Sequence, residues 1–192
     1  MNLSYGAPPN ASLLEFSRAA DLFCAYSAAV TALPAYSATA LGPLLWNPTG
    51  ATGAYPEKKA IIVGVSIALT TASAAAVSVG LTWGSQLTAT PVLNPTPSAT
   101  TAVTLVSATY PTNRQPTMIA YNAATIKTAG YGYLPLVSVP TTALTALPLT
   151  DVWIPLDGAI VIPAGGWVAL AASATATTSV LQYSIVWAET TK

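Results

Sequence analysis

Between Ala60 and Asn113 the chain carries no charged side chain. Within that span the apolar residues recur at every second position. Ile61, Val63, Val65, Ile67 and Leu69 alternate with Ile62, Gly64, Ser66 and Ala68. After Thr70-Thr71-Ala72-Ser73, a second run places Val77, Val79, Leu81 and Trp83 against Ser78, Gly80 and Thr82. A period of two is that of a β-strand, whose successive side chains point to opposite faces. The segment Ile61 to Val79 is apolar enough on a ~19-residue window to resemble a membrane helix, and Lys58 and Lys59 flank it. β-Branched residues and the alternation favour two strands joined as a hairpin. A small membrane protein built on residues 60–83 is the reading this displaces.

The rest of the sequence extends the β pattern. Short alternating or apolar runs occur at Thr101–Ala108, Met118–Tyr121, Tyr131–Val139, Val152–Leu156, Ala159–Ile162, Trp167–Ala172 and Val180–Glu189. In the last run Leu181, Tyr183, Ile185 and Trp187 face one way. Gly and Pro punctuate the runs, as at Asp157-Gly158 and Pro163-Ala164-Gly165-Gly166. Thr90 to Pro97 is a proline-rich connection. The stretches Ala68–Trp83 and Ala169–Trp187 echo each other and read as two similar hairpins. The expected fold is mainly β, an antiparallel, jelly-roll-like sandwich.

One helix is expected, from Ser12 to about Leu33. Ser12-Leu13-Leu14-Glu15 fits a capping box, Glu15, Arg18 and Asp21 share a face, and Pro34 ends the pattern. Residues 1–11 read as an extended arm and 34–57 as a Pro/Gly-rich loop. The division is therefore 1–57 for arm, helix and loop, and 58–192 for the sandwich. The N-terminal stretch lacks the basic and apolar regions of a signal peptide.

Composition excludes most chemistry. The 192 residues include six Lys+Arg, six Asp+Glu, no His and one Cys, while 37 Ala and 27 Thr make up a third of the chain. A neutral chain without a basic cluster is a poor nucleic-acid binder. Without His, and with a single Cys, the usual zinc and iron ligand sets are missing, so no metal and no cofactor are expected. Asp151 and Asp157 flank Trp153 as paired carboxylates do in glycosidases, but Asp157-Gly158 is explained by a turn. No Gly-x-Ser-x-Gly occurs, and a Ser or Thr nucleophile has only lysines as a base. Cys24, among Leu22, Phe23 and Tyr26, reads as a small buried hydrophobe. The chain is expected not to be an enzyme.

The stretch from Ile154 to Ser173, with its Pro163-Ala164-Gly165-Gly166 turn and alanine-rich strand, and the ending Tyr183-Ser184-Ile185-Val186-Trp187-Ala188-Glu189 resemble small β-sandwich virion proteins of tailed bacteriophages. These include capsid cement (decoration) proteins and jelly-roll head and fibre proteins. The resemblance implies a structural role on the capsid surface of a virion, association as a homotrimer and the major capsid protein as partner, with no nucleic acid and no membrane. Neutral, proline-rich arms suit such contacts, since few charges need desolvation. Candidate interface residues are Tyr5, Pro8, Trp46, Tyr131, Tyr133 and Trp153. The alternative is a carbohydrate- or receptor-binding module of a tail or head fibre, in which Tyr121, Tyr131 and Tyr133 with Trp153 or Trp167 form an aromatic surface.

Overall fold

A computed structural model describes residues 22–31, 33–38, 40–41, 43–48, 58–71, 76–85, 96–97, 104–107, 116–121, 124–125, 130–139, 152–175 and 180–191. These residues form β1 (Leu22–Thr31), β2 (Ala40–Leu41), β3 (Leu44–Trp46), β4 (Lys58–Thr71) and β5 (Val77–Ser85). They continue with β6 (Thr96–Pro97), β7 (Thr104–Ser107), β8 (Ile119–Tyr121), β9 (Ala124–Thr125) and β10 (Gly132–Val139). The last four are β11 (Val152–Pro155), β12 (Val161–Ile162), β13 (Gly166–Ala172) and β14 (Val180–Thr191). One sheet runs β11-β4-β14-β1-β7, with β12 also paired to β4; a second runs β10-β5-β13-β3-β8. The short strands β2, β9 and β6 make a third, three-stranded sheet. Every strand pairing in the three sheets is antiparallel.

The two large sheets share one core. Phe23, Ala25, Ile62, Val65, Ile67, Leu181, Ile185 and Trp187 of the first sheet join Leu45, Val79, Leu81, Val168 and Leu170 of the second in a single buried cluster. In register, Ile154, Val65, Ile185 and Ala25 line up across four strands on this inner side. The alternation expected on β14 holds: Leu181, Tyr183, Ile185 and Trp187 are all buried on the inner face.

Strand β4 departs from its expected phase. Val186 pairs with Gly64 but Trp187 pairs with Ile62, so Val63 is an extra residue, a β-bulge. An inserted residue exchanges the two faces of a strand. Ala60 and Ile62 therefore point inward before the bulge, and Val65 and Ile67 after it. The bulge is where the partner chain turns away. β11 pairs with residues 64–67 and β12 with 60–61, and between them the Leu156 and Asp157 amides donate to the Val63 carbonyl at 2.8 and 3.3 Å. Asp157 (φ 46°) and Gly158 (φ 80°) take the left-handed conformations that this tight excursion needs.

Three sequence expectations are corrected. First, residues 22–31 are strand β1, not helix, and the described residues contain no helix; Ser12 to Asp21, with the capping box, lie outside them. Alanine-rich Leu22–Thr31 is compatible with either form, and pairing on both sides, to β14 and β7, decides. Second, β4 and β5 are not a hairpin: each chain crossing from 71 to 77 changes sheet, as does that from 172 to 180. Third, the loop expected over 34–57 contains β2 and β3, and its proline-rich part is docked along β13. There the Tyr36 amide donates to the Ala172 carbonyl at 2.9 Å, the Ala172 amide to Pro34 at 3.0 Å and the Leu170 amide to Pro43 at 2.8 Å. Strands from both sides of residue 57 stand in each large sheet: β1 with β4 in the first and β3 with β5 in the second. Residues 60–83, the stretch that resembled a membrane helix, lie in β4 and β5 and the segment between them. No helix among the described residues is long and apolar enough to cross a membrane.

The outer face of the second sheet is also buried. Leu44, Trp46, Trp167, Ala169 and Ala171 form a second cluster, flanked by Ala38, Ile119, Tyr121 and Tyr133. All seven residues of β13 are thereby buried, which is why that strand reads as continuously apolar.

Candidate functional site

The six expected interface residues fall into three groups. Tyr5 and Pro8 lie outside the described residues. Trp46 is 4% exposed and fills the second cluster beside its register partner Trp167, so its side chain is used within its own chain. Tyr131, Tyr133 and Trp153 reach the surface to different degrees. Tyr131 is 71% exposed, its backbone amide bonded to the Trp83 carbonyl at 2.8 Å. Tyr133 is held: its ring stacks on Tyr36 at 4.9 Å, and its hydroxyl donates to the Ser78 carbonyl at 2.6 Å. The structure brings Tyr121, Tyr133 and Trp167 together at the second cluster but places Trp153 on the other sheet. The single aromatic surface expected from sequence is therefore divided.

The outer face of the first sheet is the more open surface. Register aligns Trp153 of β11, Ser66 of β4, Ser184 of β14 and Tyr26 of β1 in one row across four strands. The next row holds Gly64, Val186 and Cys24. Trp153 and Tyr26 are about half exposed, while Ser66, Ser184, Val186 and Cys24 are partly covered. The benzo edge of the Trp153 indole rests on Gly64. A Cβ at that position would stand 2.6 Å from Trp153 Cη2 and 2.9 Å from the Ile154 carbonyl oxygen, so only glycine leaves the ring its seat. Sequence reasoning found Trp153 but missed Tyr26, which it placed on a helix, and missed the glycine and serines that complete the face. Once the strand register is known, the small residues at 64, 66 and 184 are the signal.

A charged knot closes one end of the core. Glu189, 1% exposed on the inner side of β14, accepts from Lys58 Nζ at 3.3 Å, from the Thr117 amide at 2.8 Å and from the Met118 amide at 3.1 Å. Trp187 Nε1 donates to it at 3.3 Å. This carboxylate ties the entry of β8 to the last strand, and its four donors make up for the loss of water. Nearby, fully buried Asn47 donates from Nδ2 to the carbonyls of Lys58 (2.8 Å) and Ile162 (3.2 Å). It joins the end of β3 to the start of β4 and the end of β12. Both arrangements are structural; neither holds an exposed reactive group.

No group of three or more His, Cys, Asp or Glu side chains is placed to hold a metal among the described residues. Of the two carboxylates flanking Trp153, Asp157 shapes the turn at the bulge and Asp151 lies outside the described residues. Burial pushes the Cys24 thiol above its ordinary value of 9.0, partly offset by a hydrogen bond with Ser184. Burial raises Tyr121 and Tyr133 above 10.0, and raises Tyr183 further, with Cys24 adding to it. All four groups are acids that ionise more readily when unfolded. Their contribution is complete below pH 9.0 and is lost as pH rises past 9.0 and then 10.0, because the unfolded chain then binds fewer protons. Thermal melts are expected to be flat near neutrality and to fall steadily above about pH 9. A midpoint unchanged up to about pH 11 contradicts this burial pattern.

Comparison with protein-family models, with curated protein sequences and with solved structures gives no match.

Proposed function

We propose that this chain is a non-enzymatic structural protein of a tailed-phage virion, a capsid cement protein that stabilises the assembled shell as a homo-oligomer, most simply a trimer. The observation that carries the reading is the order of the strands. In chain order β1, β3, β4, β5, β10, β11, β13 and β14 wind so that β1-β14-β4-β11 lie in one sheet and β3-β13-β5-β10 in the other. We read this order as the winding of an eight-stranded jelly-roll sandwich, an architecture common among viral capsid and lectin domains. The segment between β5 and β10 adds β7 to one sheet and β8 to the other, lengthening both.

Charge supports the same reading. Of the four charged residues described, Glu189 and Lys58 bond to each other, which leaves Lys59 and Asp157 as the charges on the described surface. A chain with twelve charged side chains in 192 residues suits permanent contact with other subunits, because little has to be desolvated when neighbours close over it. Tyr131, the most exposed of the large apolar side chains, is a natural contact residue toward the major capsid protein or a second copy.

The test is made on the particle. Mass spectrometry of purified virions is expected to find the chain at a fixed ratio to the major capsid protein. Particles made without it are expected to break at lower temperature and in low salt. Virions that lack the chain, or capsids equally stable without it, overturn the proposal.

A further inference from the structure

The outer face of the β11-β4-β14-β1 sheet has the chemistry of a saccharide site, and this goes beyond the shell-binding role. We propose that it binds a neutral oligosaccharide, held between Trp153 and Tyr26 over a floor of Ser66 and Ser184.

The side chains of the floor are small. Ser66 on β4 and Ser184 on β14 present no more than a hydroxyl, and Gly64 lies buried beneath the Trp153 ring. The two largest side chains of the face stand at its two sides, on β11 and β1, three strand spacings apart. At ~4.8 Å per strand the backbones that carry them are about 14 Å apart, room for a short oligosaccharide lying across the strands. Trp153 leans inward and rests on Gly64, so its benzo edge lies on the floor while half of its surface stays open. A pyranose has an apolar face of C–H bonds and a rim of hydroxyls. The first matches an exposed aromatic ring and the second matches serine hydroxyls and a phenol.

Charge decides which saccharide. No described side chain on the floor is charged; of the described charged residues on the surface, Lys59 stands toward the start of β4 and Asp157 in the turn after β11. Among the described residues an anionic sugar finds no cation between the two rings to pair with, whereas a neutral one meets only hydroxyls to desolvate. A second copy of the chain is the competing occupant. Against it stands the floor itself, which offers small polar groups where a subunit contact buries large apolar ones.

The test uses the full-length protein titrated with malto-, cello-, xylo-, manno- and N-acetylchito-oligosaccharides, and with sialylated and sulfated glycans for comparison. Calorimetry is expected to find binding within the neutral set. Trp153→Ala and Tyr26→Ala are each expected to weaken that binding about tenfold or more. Trp153→Phe is expected to retain most of it. Gly64→Ala, which displaces the indole, is expected to behave like Trp153→Ala; if that variant fails to fold, the Trp153 and Tyr26 pair still decides. Tyr26→Ala is expected to keep the thermal midpoint of the parent, which separates lost contact from lost structure. The proposal is overturned if no neutral saccharide binds, if only charged ones bind, or if binding survives both aromatic substitutions. It is also overturned if those substitutions change the sedimentation of the protein, since the face is then a contact between copies.

Discussion

Glu189→Ala is expected to destabilise the fold by about 3–5 kcal/mol, the range found when one partner of a buried ion pair is removed. The size follows from what is left behind. Lys58 Nζ, the amides of Thr117 and Met118 and the Trp187 indole N–H all donate to this one carboxylate. Alanine strands all four, three of them in places water reaches poorly, and each unmet buried donor costs about 1–3 kcal/mol. Glu189→Gln keeps an acceptor oxygen and is expected to cost less than alanine. Lys58→Met removes one donor of four from a partly exposed position and is expected to cost less still. Urea denaturation measures the series. Amide exchange at Thr117 and Met118 should accelerate selectively in Glu189→Ala. A Glu189→Ala protein within about 1 kcal/mol of the parent contradicts the role assigned to this knot.

Trp187→Ala is the second large effect, expected at about 3–5 kcal/mol for an aromatic removed from a core. Trp187 has no measurable exposure, and its ring lies 6.0 Å from that of Phe23 on the neighbouring strand. It sits where the β4 bulge returns Ile62 to the inner face, so the void opens at the junction of three strands. Its indole also serves Glu189. The double variant with Glu189→Ala is therefore expected to cost less than the two single losses added together, by about 0.5–3 kcal/mol. Strict additivity in equilibrium unfolding contradicts the contact.

Much of this architecture is written in the sequence at short range. Alternating or continuously apolar runs located β4, β5, β7, β10, β13 and β14, because each is long enough or apolar enough to stand out from the turns around it. Short range is also where it failed. Leu22–Thr31 is alanine-rich, and its neighbours β14 and β7 are joined to it only by distant chain. β3 is three residues long, between prolines, and exists as a strand because β13 and β8 flank it. The hairpins expected at 61–83 and 169–187 are sheet-to-sheet crossings, a fact of winding that no local pattern carries. The echo between those two stretches has a spatial meaning all the same: β4 pairs with β14, and β5 with β13.

The candidate site divides in the same way. Trp153 announces itself as a tryptophan in a turn-rich segment. Trp46 looked equally suited to a surface and is buried against Trp167, because the outer side of its sheet is covered. Tyr26 was hidden by the helix expectation. Gly64, Ser66 and Ser184 carry no signal alone and acquire one only through register, when four strands bring them into adjacent rows. Glu189 is the clearest omission. A lone acidic residue near a chain's end reads as a solvated charge, and only the approach of residues 117 and 118 makes it a hub.

The winding is the claim on which the proposed function and the saccharide face both rest, and one cross-link tests it. In a Cys24→Ser background, Ser66→Cys and Ser184→Cys place two thiols at paired positions of β4 and β14. Directly opposed residues on antiparallel strands stand about 4.5–5.5 Å apart at Cα, within the reach of a disulfide. Mild oxidation followed by non-reducing peptide mapping is expected to link positions 66 and 184 in nearly all of the folded protein. A Ser66→Cys/Thr82→Cys pair, which a β4–β5 hairpin would bring together, is expected to stay reduced. A link between 66 and 82, with none between 66 and 184, contradicts the account.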